Sequence, residues 1–300
     1  MQWAFITLLS SAIAVLASPT HTANRTLTFT IEATRHGKPI PPSQIKLEPF
    51  EFGRSHIGHH GPVPAPPSSP EAVDPTPRMA KRANPTATSN NWCGSVNTLS
   101  KTNPVKTIHG EFQHPTCSLR GGSTTFPQAA ANWVGIDGDS WTSALLQAGT
   151  VCKIDNSTGI VKNEVWWQWV PSAAYTITSM PVSPDDWFEI TIATSSATSA
   201  EITITNLAQA HTYTITINSG PTLARVNADW VVERPYFGTT LAGFPTFTDV
   251  WFDNAWADLI SGARVNVDGA KQYQIPGLCA SQEWDGAWVT INVTGSATLS

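Results

Sequence analysis

The stretch EITITNLAQAHTYTITIN, Glu201 to Asn218, decides the fold class. Isoleucines alternate with threonines on either side of a polar turn, which reads as two strands of a hairpin with side chains at period two. WFEITIATSS (187–196), AWVTINVTGS (287–296) and TVCKIDNSTGI (150–160) repeat the pattern. No segment carries a sustained helical apolar stripe. Half-apolar sheets need a partner to cover them, so the expected fold is all-β: an antiparallel two-sheet β-sandwich.

Working outward, the composition changes near residue 82. Upstream, GPVPAPPSSPEAVDPTP (61–77) is a stiff, extended linker that cannot pack. It runs into RMAKRANPT, where Lys81-Arg82 reads as a dibasic processing site. At the start, the apolar run Trp3 to Ala17 ends in Val15-Leu16-Ala17, the pattern of a signal peptide. The expected organisation is a signal peptide (1–17), a pro-segment with its linker (18–82) and a β-sandwich domain (83–300). The protein is therefore expected to be secreted and extracellular. Nothing later approaches the ~20 apolar residues of a membrane span.

Residues 1–82 hold 8 Lys+Arg against 5 Asp+Glu, and residues 83–300 hold 9 against 17. The pro-segment and domain thus carry opposite net charge at neutral pH. His21, His36, His56, His59 and His60 all precede the boundary. Their protonation, with neutralisation of carboxylates, is expected to loosen the pro-segment in acid. The domain has no basic run for nucleic acid. Cys93, Cys117, Cys152 and Cys279 form no CxxC, so no metal site is expected, and an even set in an oxidising compartment predicts disulfides with three possible pairings. The triplets at Asn24, Asn156 and Asn292 are glycosylation acceptors in a secreted chain.

Twelve of the thirteen tryptophans lie after residue 82, clustered in NEVWWQWVP (Asn163 to Pro171). As a strand, that segment turns Trp166 and Gln168 to one face and Trp167 and Trp169 to the other. One face can line a groove. In ADWVVERP (Ala228 to Pro235), Asp229, Val231 and Glu233 share a face opposite Trp230 and Val232. A carboxylate after two valines is costly in a core unless it is hydrogen-bonded. In NWVGIDGDSWTSALLQAGT (Asn132 to Thr150), Ser143, Leu145 and Gln147 share a face in the same way. The chain lacks a G-x-S-x-G elbow and H-E-x-x-H, and the domain's histidines (His109, His114 and His211) sit in no suggestive context. Catalysis would rest on carboxylates, amides and backbone, with no cofactor.

From about Ser89 onward the chain resembles the eqolisins, glutamic peptidases secreted mainly by fungi. The matching stretches are SNNWCG, NWVGIDGDSWTSALLQAG, VWWQWVP and VNADWVVERPYF, close to the family's SNWxG, AWVGIDGDTCxTAILQTG, AWYEWYP and TNAEWIVEDF. By motif position, the family's Gln and Glu dyad, on neighbouring strands of one sheet, corresponds to Gln147 and Glu233. The resemblance implies a pepstatin-insensitive acid endopeptidase acting on polypeptides, made as a zymogen and monomeric. Glu233 would activate water and then protonate the leaving amine, and Gln147 would stabilise the oxyanion. An ordinary Glu titrates near pH ~4.3, which sets an acidic working range. The pro-segment would act as an intramolecular inhibitor, and Trp92, Trp133, Asp137 and Gln168 would bind or orient substrate.

Several positions depart from the family pattern: Gln168 stands for Glu, Val170 for Tyr, Trp141 for a Cys, and Arg234 for Asp. These bear on substrate preference and pH range, and the Trp141 region must be held without that disulfide. The rival of another class is a secreted carbohydrate-binding β-sandwich whose tryptophans stack sugars. A glycoside hydrolase would want two carboxylates, and Gln147 is a poor member of such a pair.

Overall fold

The computed structural model describes residues 27–52, 84–156, 158–284, 286 and 288–293. The signal peptide, the Pro-rich linker, the dibasic pair, the Asn24 triplet and the histidines other than His36 before residue 82 lie outside the described residues. Two large sheets dominate, of ten and nine strands. The expected EITITN–HTYTITI hairpin is formed by Ala200–Asn206 and His211–Ile217, paired in register from Ala200↔Ile217 to Asn206↔His211.

The ten-stranded sheet runs, from one edge, through Lys38–Pro39, Phe29–Arg35, His211–Ile217, Ala200–Asn206, Trp187–Thr194, Val105–Gln113, Val250–Leu259, Trp288–Val293 and Cys279–Trp284, with Arg264–Asn266 pairing to Val250–Leu259 off that path. The nine-stranded sheet runs through Leu47–Phe50, Ala174–Ile177, Val161–Val170, Leu145–Ile154, Gln128–Ile136, Asn227–Glu233, Trp92–Thr98, Lys271–Gln274 and Thr86–Thr88. Its pairings are antiparallel except for the last, which is parallel.

Alternation along each strand splits its side chains between two apolar clusters. Trp167, Trp169, Trp230, Phe112, Phe188 and Phe252 fill the space between the sheets. Trp92, Trp133, Trp166, Leu145, Val151 and Val231 occupy the opposite face of the nine-stranded sheet, here called the groove face. The two-faced reading of VWWQWV and ADWVVE therefore matches the packing.

Two disulfides join Cys93 to Cys279 and Cys117 to Cys152. Trp141, at the position of a family Cys, is held instead by its indole N–H donating to the Thr222 carbonyl (3.3 Å) and by Lys101, whose ammonium lies 5.0 Å over the ring.

The N-terminal segment is more structured than its composition suggests. Residues 27–52 supply an edge strand to each sheet: Phe29–Arg35 pairs with His211–Ile217, and Leu47–Phe50 pairs with Ala174–Ile177. TLTFTIEA is itself an alternating run, which explains why it adds to an open edge.

Candidate active site

Three adjacent cross-strand rows on the groove face define the site. The first runs Gln168, Gln147, Gly135, Asp229. The second runs Trp166, Gly149, Trp133, Val231, Gly94. The third runs Glu164, Val151, Ala131, Glu233, Trp92. Gln147 and Glu233 thus lie on one sheet, as expected. They are not on neighbouring strands: Gln128–Ile136 runs between theirs, and the Trp133 row separates their rows. The correction comes from strand order, which motif spacing does not encode.

Trp133 bridges that gap. Its indole N–H donates to Glu233 Oε2 at 3.0 Å. The far edge of the same ring lies over Gly135, where a Cβ would come within 2.7 Å of Cζ3. The indole therefore runs diagonally from the Gln147 row to the Glu233 row. Gly135 is required because any side chain there would lift the ring.

Glu233 is fully buried, and its other oxygen accepts from the Asn91 side-chain amide at 3.4 Å. Asn91 is itself placed by Ser89, whose hydroxyl accepts from the backbone N–H of Asn91 (3.2 Å) and Trp92 (2.9 Å). These bonds give SNNW its physical content. Ser89 folds the chain so that Asn91 faces Glu233 and Trp92 packs edge-on against Trp133, with centroids 5.0 Å apart. Sequence reasoning singles out Trp92 in this motif and misses Asn91, whose role depends on a cross-strand contact.

Gln147 donates from Nε2 to Gln168 Oε1 (3.3 Å), and Gln168 donates in turn to the Ser172 carbonyl (3.0 Å). Gln147 Oε1 is buried with no hydrogen-bond partner in the structure. Gln168 thus orients Gln147 by its own amide. Asp137 stands apart: it lies in a turn at φ 70°, and its carboxylate accepts from the backbone N–H groups of Arg225 (2.8 Å), Val226 (2.7 Å) and Asn227 (3.3 Å). Burial pushes the Asp137 carboxyl up, against the downward pull of those bonds. Its contacts order the entry to the Glu233 strand. Arg234 turns away to anchor the next loop, donating from Nε to the Ala242 carbonyl. Val170 is buried on the groove face.

Asp229 drew no role from sequence, yet it shares the face and strand of Glu233. It is fully buried, and neither carboxylate oxygen has a partner. Burial, then the nearby Asp139 and Asp137, raise its carboxyl well above the usual range. No cluster of three or more His, Cys, Asp or Glu side chains able to hold a metal occurs among the described residues.

The peptidase A4 family matches residues 90–294. Aspergillopepsin-2 of Aspergillus niger is 33% identical over 187 residues, 56% of this chain and 64% of that protein. Scytalidopepsin B of Scytalidium lignicola is 28% identical over 145 residues, 48% of this chain and 51% of that protein. The chain therefore spans between about half and two thirds of the length of these relatives. Scytalido-glutamic peptidase, solved with a transition state analog inhibitor, shares the fold at a TM-score of 0.60 and 22% identity, covering 68% of this chain and 98% of its own. Its complex with a peptide-based transition state analog gives 0.58 at 24% over the same shares. Every groove-face residue described above falls within the matched span, and the chain belongs to the peptidase A4, or eqolisin, family.

Proposed function

We propose that this chain is a secreted endopeptidase that hydrolyses polypeptides in acid through Gln147 and Glu233. The observation that carries the reading is the fully buried Glu233 carboxylate, held by Trp133 and Asn91 on the face that also bears Gln147. A carboxylate so fixed can hold a water, take its proton as the water attacks the scissile carbonyl, and return the proton to the leaving amine. An amide nitrogen carries two N–H donors. Gln168 takes one from Gln147, which leaves the other for the oxygen that becomes negative in the tetrahedral state. No covalent intermediate is needed. The relative named aspergillopepsin-2 supports the coarser reading, that the chain is a peptidase.

The chain would be made as a zymogen and act as a monomer. Inhibition by the N-terminal segment gains support from Phe52. It leaves the sheet edge, stacks edge-on over groove-face Trp166 (4.6 Å between centroids) and bridges in backbone to Phe237, four residues beyond Glu233.

The test is digestion of a denatured protein at pH about 3–4, near the ordinary Glu range, with pepstatin present. Wild-type chain cut at the dibasic site should cleave it and Glu233→Gln should not. Equal cleavage by both would move the chemistry away from Glu233, and none by the folded wild type would leave the groove a binding site.

A further inference from the structure

The segment before the linker is paired into both sheets of the sandwich. Phe29–Arg35 pairs over all seven of its residues with His211–Ile217, and Leu47–Phe50 pairs over all four with Ala174–Ile177. One short stretch of chain therefore closes an edge of both sheets. Further backbone bonds tie it down between and beyond the ladders: His36 N–H to Ala210 O (2.8 Å), Lys46 N–H to Ser179 Oγ (3.0 Å) and Thr178 N–H to Lys46 O (3.0 Å).

Its apolar side chains belong to the main core. Leu27, Phe29 and Ala33 are buried there, and Ile31, Ile40, Ile45 and Leu47 pack against it. The Phe29 ring meets Trp167 edge-on at 4.9 Å and Tyr175 at 5.3 Å. Without it, the outer end of the inter-sheet core would face water, and the two strands it covers would present unpaired backbone groups, a template for aggregation.

The described contacts do not depend on opposite charge. Glu48 lies near Glu164, a like pair, and Arg35 and His36 both lie near His211, which would carry the same sign of charge when protonated. Net charge therefore does not describe the local hold, which is hydrogen-bond ladder and buried apolar surface. Neither term vanishes when a covalent bond is cut elsewhere or when carboxylates protonate.

We propose that residues 27–52 remain bound to the rest of the protein after the chain is cut in the linker, as a second, non-covalent chain that completes both sheets. This rests on the zymogen reading only for the occurrence of the cut.

The experiment uses the full chain carrying Glu233→Gln, so that no self-digestion intervenes, cut at Lys81-Arg82 with a dibasic-specific protease. Size exclusion at pH 7 and pH 4, with mass spectrometry of the peak, is expected to find the N-terminal fragment co-eluting with residues 83–300 at both. Hydrogen exchange should show the His211–Ile217 amides as protected after the cut as before it. A fragment eluting alone from a domain that stays folded would overturn the proposal, as would loss of protection confined to that edge. Phe29→Asp places a carboxylate against Trp167 and Tyr175 and should convert co-elution into release after the same cut. Retention of that variant fragment would equally refute the hold described. None of these readouts requires peptidase activity, so they stand or fall separately from the catalytic reading.

Discussion

Replacing Trp133 with Phe isolates the contact that joins the two halves of the site. The substitution deletes one donor, the indole N–H that lies 3.0 Å from Glu233 Oε2, and keeps an aromatic ring against Trp92. A hydrogen bond to a charged group contributes about 1.5–3 kcal/mol. At 1.36 kcal/mol per tenfold, kcat/KM should fall roughly ten- to a hundredfold. The direction in pH is fixed by the same contact. A carboxylate stripped of a donor holds its proton more tightly. The acidic limb of the kcat/KM profile should therefore move toward neutral pH, and activity lost at the acid end should partly return above it. The assay is cleavage of a quenched fluorescent peptide from pH about 2 to 7, spanning the ordinary Glu range, beside a thermal melt. A purely packing role for Trp133 would lower the melting temperature without moving the limb. A profile of unchanged shape with less than about threefold loss would refute the bridging role, because no buried charge-bearing hydrogen bond is that weak.

Gly135→Ala tests the same bridge from the other end: a Cβ 2.7 Å from Trp133 Cζ3 should displace the indole and reproduce the kinetic defect of Trp133→Phe, read in the same assay. Gln168→Glu removes the donor to the Ser172 carbonyl and, once ionised, sets a carboxylate against that oxygen. Chemical denaturation should show near wild-type stability in acid and a loss of about 1–3 kcal/mol at neutral pH. Asp229→Asn should raise stability at neutral pH and change little in acid, because it removes a buried ionisation that has no partner; equal effects at both pH values would sink that account. Cys117→Ala with Cys152→Ala opens a loop of 35-residue separation and should cost about 4 kcal/mol, or about 8–16 °C in a melt.

The sandwich was legible because alternation is a local signal. Ile202, Ile204, Ile215 and Ile217 announce their strands, and the division of Trp166 from Trp167, or of Glu233 from Trp230, comes from period two alone. Glu233 and Gln147 were singled out as a pair by motif resemblance, since nothing in either strand says which other strand it will lie beside. Strand order is a long-range property, and that is why the strand between them came as a correction. Asn91 escaped for the same reason, its target being 142 residues away. The N-terminal strands escaped for another: the Pro-rich linker and the charge surplus coloured the whole of residues 18–82, although TLTFTIEA carries the same alternation as the domain.

The titration of the buried carboxyls connects fold to working conditions without appeal to the dyad. Asp229, Asp137 and Glu164 all have carboxyls raised chiefly by burial. A folded state that holds these protons more tightly than the unfolded chain binds more protons across the window above the ordinary carboxylate range. Its stability therefore falls as pH rises through that window and is fully present below it. Asp155 and Asp258 pull the other way, lowered by Lys153 and Lys162 and by Arg264. Both sit near the surface, where water and salt weaken the pairing, so the buried groups set the sign. Most globular proteins gain stability on leaving acid because their carboxylates are paired. Here Asp229, fully buried and without a hydrogen-bond partner, favours the protonated, acid form. An enzyme that needs a carboxylate to alternate between base and acid works near the titration range of that group. The burial of Asp229 in the groove-face sheet therefore adds stability on the acid side, the side on which the proposed peptidase chemistry would operate.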